Sequence, residues 1–372
     1  MSTDLLALAN AATAKLRAYD PGHDLPALRE EYGARLIELG SNETSLGASQ
    51  AVAAAIMAAL PEIYRYPDPK GGALKRVLAA QLGVDTAQLA LGNGSHELLM
   101  LIAQCFAEAG TSVVYSQYGF AVFAIATAAA GATPVCVPAL PADHDRAPLG
   151  HDLDAIAAAV RPDTRLVYVA NPNNPTGTWF DDAALDRFLA KLPAHVVVVV
   201  DEAYAEYVTA PGTSSAVRLL RAGQDGHDNL IVTRTFSKAY ALAGLRVGYA
   251  VGSAQAIAVL ERLRESFNVN SLALVAAEAA LADTAHARRI REFTAAEREW
   301  LAAQLRERGL RVFPSQTNFV LVDFGRDARA IEAQLFRHAV VVRPMAGYGL
   351  PNCLRISVGT RAENERLLEA LA

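Results

Sequence analysis

Five consecutive valines, Val196 to Val200, run without a break into Asp201 and Glu202. A strand with one wet face alternates apolar and polar side chains. A run that does not alternate needs cover on both faces, as a central strand of a largely parallel sheet has. Residues 165–170 and 230–235 repeat the theme, each a short β-branched run followed by turn or polar residues. Ala/Leu-rich helical runs separate these strands from about residue 51 to 260, and this alternation predicts an α/β fold with helices covering both faces of the sheet. Residues 111–142 carry no charge, but Gln117, Gly119, Gly131, Pro134 and Pro138 interrupt them. Their periodicity gives a strand at 112–115, a helix at 120–130 and a strand at 134–137, a βαβ unit and not a membrane span.

Beyond about residue 254 the pattern changes. A long helical stretch at 257–309, interrupted around Asn268–Asn270, precedes antiparallel-looking strands at 311–313, 318–323, 339–343 and 354–358. Thr360 and Glu363 form a capping box that opens the last helix. A chain of 372 residues exceeds what one core organises, roughly 250–300 residues, so two lobes are expected. The division predicted is a large domain at 41–260 and a smaller α+β domain built from 1–40 and 261–372. With 34 Lys+Arg against 39 Asp+Glu, a net charge of −5, no broad face can neutralise a phosphate backbone, which excludes a dedicated nucleic-acid binder. Cys105, Cys136 and Cys353 are scattered and odd in number, and Asp4 stands where a signal peptide would be basic. A reducing cytoplasm is the expected compartment.

Chemistry concentrates in four places. Residues 230–260 hold Arg234, Lys238 and Arg246 before the first acid, so these cations have no local partner. Burial and neighbouring cations lower a lysine's pKa, giving the neutral amine that attacks carbonyls; the bland alternative for Lys238 is a snorkelling side chain at a sheet edge. Asp201 closes the valine strand, and ligands of open parallel sheets bind outside such carboxyl ends. Alternation sends Asp201 and Glu202 in opposite directions, so one enters a site and the other is solvated or salt-bridged. Asn171-Pro172-Asn173-Asn174-Pro175-Thr176-Gly177 is a rigid turn that can hold an asparagine amide at fixed orientation. Gly92-Asn93-Gly94-Ser95-His96-Glu97 opens a helix with small residues, leaving amides free for a phosphate. His96 has no second histidine at ligand spacing, so no metal site is expected.

Together these segments resemble the fold-type I pyridoxal-phosphate (PLP) aminotransferases, and among them the histidinol-phosphate aminotransferase family. The likeness runs from Leu16-Arg17-Ala18-Tyr19-Asp20-Pro21-Gly22 through Ser41-Asn42-Glu43, Tyr66-Pro67-Asp68-Pro69 and Thr235-Phe236-Ser237-Lys238-Ala239-Tyr240. It continues in Gly244-Leu245-Arg246-Val247-Gly248-Tyr249, Arg343-Pro344-Met345 and Leu354-Arg355-Ile356-Ser357-Val358-Gly359-Thr360. The resemblance implies that Lys238 forms the internal aldimine with PLP and later shuttles a proton, while Asp201 pairs with the pyridinium nitrogen. It implies further that Asn174 and Tyr204 bond the ring 3-oxygen and that Tyr118 stacks on the ring. The amides of Ser95 and His96, with Thr235, Ser237 and Arg246, would hold the phosphate, and Tyr66 would reach it from the partner subunit of a homodimer. Arg355, with Arg343, Tyr19 and Asn42, would bind substrate. His96 departs from the acidic residue or asparagine the family often carries there, which leaves backbone binding intact.

The implied activity is a PLP-dependent amino transfer between a small-molecule donor and a 2-oxo acid, the preferred pair being L-histidinol phosphate and 2-oxoglutarate in histidine biosynthesis. An aromatic amino-acid aminotransferase shares the same chemistry. A PLP lyase or decarboxylase acting on threonine phosphate begins in the same way. A non-catalytic PLP-binding scaffold is the alternative from another class, although none of the chemical groups is missing.

Overall fold

The valine run becomes the middle of the large sheet. The computed structural model describes residues 4–16, 23–224 and 226–372. Along the chain the strands are β1 (Ile37–Glu38), β2 (Leu89–Gly92), β3 (Ser112–Ser116), β4 (Thr133–Val137), β5 (Thr164–Ala170), β6 (Val197–Asp201), β7 (Leu230–Thr235) and β8 (Gly248–Gly252). There follow β9 (Arg311–Val312), β10 (Phe319–Asp323), β11 (Val340–Val341), β12 (Arg343–Pro344) and β13 (Cys353–Ser357). The large sheet has the order β2-β8-β7-β6-β5-β3-β4, so three strands flank β6 on each side. Val198 and Val200 bury into one face and Val199 into the other. Helices Gly72–Leu82, Asp182–Leu189 and Ser271–Ala282 cover the first face; Ser95–Phe106, Ala121–Ala129 and Ala254–Leu263 cover the second.

Strands β4, β3, β5, β6 and β7 are mutually parallel, and β8 runs antiparallel to both β7 and β2. Every strand of this sheet except β8 therefore points the same way. The turns after β2, β3, β5, β6 and β7 all emerge at one edge, where β8 contributes its beginning. Gly248 is required at that beginning, because a Cβ there would lie 2.6 Å from the Ser95 amide nitrogen.

The smaller lobe has a four-stranded antiparallel sheet, β12-β13-β10-β9, and a parallel pair, β1 with β11. Helices Thr284–Glu307, Arg329–Arg337 and Arg361–Ala370 close its core around Leu301, Leu305, Leu335, Leu354, Ile356 and Leu367. The capping box at Thr360 is present. One expectation needs correction, and one boundary is better placed elsewhere. The strand expected at 339–343 is split, since Val340–Val341 pairs with β1 while Arg343–Pro344 pairs with β13. Pro344 has no N–H to donate, which suits the edge position of β12. The small domain was expected to begin at 261, yet Ser271–Ala282 packs on Gln50–Ala59 and Gly72–Leu82 of the large lobe. Its buried Ala273, Ala276, Ala277 and Ala280 allow that close approach. We propose a division near Asp283 instead.

Candidate active site

A cleft of about 910 Å³ opens at the edge where the turns converge, walled on its other side by β12, β13 and the turn that follows β12. Asp201, the last residue of β6, is buried and accepts a hydrogen bond from the Thr233 hydroxyl at 2.9 Å on β7. Burial pushes its pKa up to about 7 against that hydrogen bond, with the Glu202 charge adding to the rise. A carboxyl so placed is suited to a cationic partner in the cleft. Glu202 turns to the opposite face and pairs with Arg234 at 2.9 Å, while Glu206 binds the same guanidinium at 2.9 Å. Arg234 is therefore not a spare cation for a phosphate. The acids that hold it come from the turn after β6, nearly thirty residues earlier in the chain.

Lys238 follows β7 by three residues and lines the cleft. Its Nζ donates to the Ser41 carbonyl at 3.1 Å. Burial, then the Arg355 charge, bring its pKa down to about 8; Glu43 opposes this and Arg246 adds to it. The amine is thus neutral far more often near pH 7 than a surface lysine is. Tyr204 is buried beside it, its ring 5.9 Å from Nζ, and its hydroxyl accepts from Asn42 Nδ2 at 2.9 Å. Burial foremost raises that hydroxyl to about 12, so it remains a donor.

Asn42 is itself fixed. It has a left-handed φ of 56°, its N–H donates to Ser357 Oγ at 2.9 Å, and its carbonyl accepts from Asn318 Nδ2 at 2.9 Å. On β13, Arg355 is buried in the interior of its sheet and not on a surface edge. It donates to the Gly40 carbonyl at 2.7 Å and to Asn174 Oδ1 at 2.6 Å. With Oδ1 engaged, the Asn174 amide can only donate into the cleft.

The turn after β2 is equally specific. The helix Ser95–Phe106 has Gly94 at its N-cap with no side-chain cap, so its first amides are left for another acceptor. Gly94 has a φ of +83°, and a Cβ there would collide with the Arg246 guanidinium. Arg246 in turn donates to Ser237 Oγ at 3.3 Å, and Thr235 Oγ1 donates to Ser237 Oγ at 3.0 Å. Burial, then Arg246, lower the His96 pKa, which keeps its imidazole neutral there.

Ser95, His96, Asn174, Asp201, Tyr204, Thr235, Ser237, Lys238, Arg246, Asn42, Arg343 and Arg355 all line this one cleft. Tyr118 does not; it packs against the cluster of Leu149, Phe313, Leu321 and Met345, and Phe120, two residues on, lines the cleft instead. Tyr66 lies outside the cleft of its own chain, 82% exposed. Tyr19 falls outside the described residues. Sequence reasoning missed Phe120 and Tyr348. Tyr348 sits between two glycines in the turn after Arg343-Pro344-Met345, an aromatic in a tight turn that could have drawn notice.

The family model for aminotransferase class I and II matches residues 34–371. A histidinol-phosphate aminotransferase 2 of Pseudomonas fluorescens is 47% identical over 100% of this chain and 98% of its own. One from Pseudomonas aeruginosa is 48% identical over 99% of this chain and 98% of its own. The crystal structure of histidinol-phosphate aminotransferase from Sinorhizobium meliloti in complex with pyridoxal-5'-phosphate superposes with a TM-score of 0.85, at 33% identity, covering 98% of this chain and 96% of that one. The chain belongs to the class I and II aminotransferases and, within them, to the histidinol-phosphate aminotransferase family. It is a PLP-dependent enzyme. The site fits that cofactor, with a buried acid for a ring cation, a softened lysine for a carbonyl and an uncapped helix start beside an arginine for a phosphate.

Proposed function

We propose that the enzyme transfers the amino group of L-histidinol phosphate to 2-oxoglutarate, giving imidazole acetol phosphate and glutamate, as the names of its relatives suggest. The observation that carries this reading is the pairing of Arg343 with Arg355. They are direct cross-strand partners on β12 and β13, and both line the cleft. Two guanidinium groups on one wall of the cleft present donors to the same anion. A phosphate dianion suits the pair, whereas phenylalanine brings a single carboxylate that one of them satisfies.

Bound PLP supplies a carbonyl for the substrate amine and a ring that takes up electron density from Cα. The protein's residues perform the rest. Lys238 Nζ, the base in the cleft, would hold the proton removed from the substrate's Cα. The Asp201 carboxyl holds the ring nitrogen's proton. Asn174 and Tyr204 donate to the ring oxygen; Ser95, His96, Thr235, Ser237 and Arg246 hold the phosphate. The same two arginines then receive the carboxylates of 2-oxoglutarate.

The working unit we propose is a homodimer in the cytoplasm, with Tyr66 completing the phosphate site of the partner subunit. Met57, Ile63, Tyr64, Tyr66, Leu263 and Phe267 are exposed apolar residues clustered around the 57–66 and 263–267 segments, which supports a shared interface. Among the described residues no helix is long and apolar enough to cross a membrane.

The test is a half-reaction on PLP-loaded protein without any oxo acid, following the visible absorbance of Lys238-bound cofactor. Rapid loss with histidinol phosphate and little with phenylalanine is expected. The reverse order would reassign the donor to aromatic amino acids, and no loss with either would point to another donor or to a lyase.

A further inference from the structure

The interruption at Asn268–Asn270 forms a strap whose side chains reach in two directions. On its inner side, Asn268 Nδ2 donates to Glu97 Oε2 at 2.8 Å and to the Leu91 carbonyl at 3.1 Å. Glu97 Oε2 also accepts the Asn93 N–H, so one carboxylate oxygen joins the strap to the phosphate turn. Asn270 Nδ2 donates to the Leu245 carbonyl at 3.0 Å, next to Arg246. Both parts of the phosphate cup are thus tied to one short segment.

On its outer side the strap carries Phe267, held at a φ of +61°. That region disfavours a bulky side chain, and such strain persists only where surrounding bonds enforce it. The neighbouring Asn268 bonds, with Arg264 donating to Asn268 Oδ1 at 2.7 Å, supply the enforcement. The Phe267 ring stacks on Tyr66, centroids 4.7 Å apart and planes 23° from parallel. Arg264 also donates to the Pro69 carbonyl at 3.0 Å, fixing the far end of the Tyr66-Pro67-Asp68-Pro69 segment.

We propose that residues 264–270 couple the two active sites of the dimer. Asn268 and Asn270 read the phosphate turns of their own subunit, and Phe267 holds Tyr66 in position for the partner subunit's cofactor phosphate. The proposal rests on the reading that Tyr66 crosses the interface. A phosphate seated on the Ser95 and His96 amides fixes the 93–97 turn, hence Glu97, Asn268 and the Phe267 platform. By linkage, an anchored Tyr66 stabilises the turn of its own subunit to the same extent. Asn268, Asn270 and Phe267 are positioning residues in this scheme and touch no cofactor.

The experiment uses loaded hybrid dimers. One subunit is wild type; the other carries Lys238→Ala, so only the wild-type subunit gives the absorbance of Lys238-bound cofactor. Hybrids are dialysed against falling PLP concentrations and the remaining absorbance is read. Adding Asn268→Ala to the Lys238→Ala subunit is expected to weaken PLP in the unmutated wild-type site about five-fold, the value of one well-placed hydrogen bond. Phe267→Leu in the same position keeps every Asn268 bond and is expected to do likewise, which covers a failure of the first variant to assemble. Tyr66→Phe there is the reference. If it leaves the wild-type site unchanged, the cross-interface reading of Tyr66 falls. If it weakens that site while Asn268→Ala and Phe267→Leu do not, the coupling alone is overturned. A role confined to local structure would leave the wild-type subunit's absorbance unchanged and would overturn the coupling.

Discussion

At Asp201 a buried carboxyl accepts a hydrogen bond from the Thr233 hydroxyl, yet burial pushes its pKa from 3.8 up to about 7. The consequence for stability has a definite sign. A raised acid holds its proton longer in the folded state than in the unfolded chain, so stability falls as pH rises from 3.8 to about 7 and then levels off. Each unit of that window removes up to ~1.4 kcal/mol. We therefore expect Asp201→Asn, in cofactor-free protein, to raise stability by about 2 kcal/mol or more at about pH 8 and to change it little at about pH 4, as denaturant titrations would show. The same variant should bind PLP more weakly, the usual exchange of stability for function at a site. An equal effect at both pH values would mean that the carboxyl is not the strained group. Much at this scale was legible beforehand, because Lys238 and Asp201 sit at strand ends that the valine and threonine runs announce. The Arg355–Asn174 bond was not, since its partners are 181 residues apart and meet only once the lobes close.

Among elements, the turn from β2 into the helix Ser95–Phe106 is the proposed seat of the cofactor phosphate. Gly94 and Gly309 both have left-handed backbones, +83° and +78°, but only at Gly94 would a Cβ strike Arg246. Gly94→Ala and Gly309→Ala should both destabilise through the backbone by about 1 kcal/mol or more. Gly94→Ala should do so the more, since its φ of +83° with ψ of 162° is essentially confined to glycine. Only Gly94→Ala should also weaken PLP binding, by about ten-fold or more, because Arg246 leaves the cup. Equal PLP affinities in the two variants would show that this arginine does not bear on the phosphate. Strand periodicity gave β5, β6 and β7 to within a residue or two, since a buried strand announces itself by composition alone. It misjudged the 339–343 strand, and the boundary near 261 gives way to the division proposed near Asp283. Both depend on which neighbour a segment meets: Val340 and Arg343 enter different sheets, and the alanines of Ser271–Ala282 find their partners in helices two hundred residues away. Arg234 is the same lesson in charge, since an absence of nearby acids along the chain says nothing of acids in the turn after the neighbouring strand.

For the whole molecule, the exposed apolar residues around Ile63, 58% exposed, bear on assembly. Ile63→Asp would place a charge in the proposed interface. We expect it to weaken dimerisation by about ten-fold or more in sedimentation experiments and to lower PLP retention in step with the monomer fraction. A monomer that keeps its PLP as well as the dimer would remove the partner subunit from the site. The direction shared by all but one of the large sheet's strands gathers Ser95, Asn174, Asp201, Tyr204, Lys238 and Arg246 from that lobe, while Arg343, Tyr348 and Arg355 reach the cleft from the other. The two walls are nonetheless stitched together, by Arg355 to Asn174, Asn42 to Tyr204 and Lys238 to the Ser41 carbonyl. A substitution at any of these positions is therefore felt on the opposite wall, so a change of specificity in this scaffold has to be compensated on both sides of the cleft.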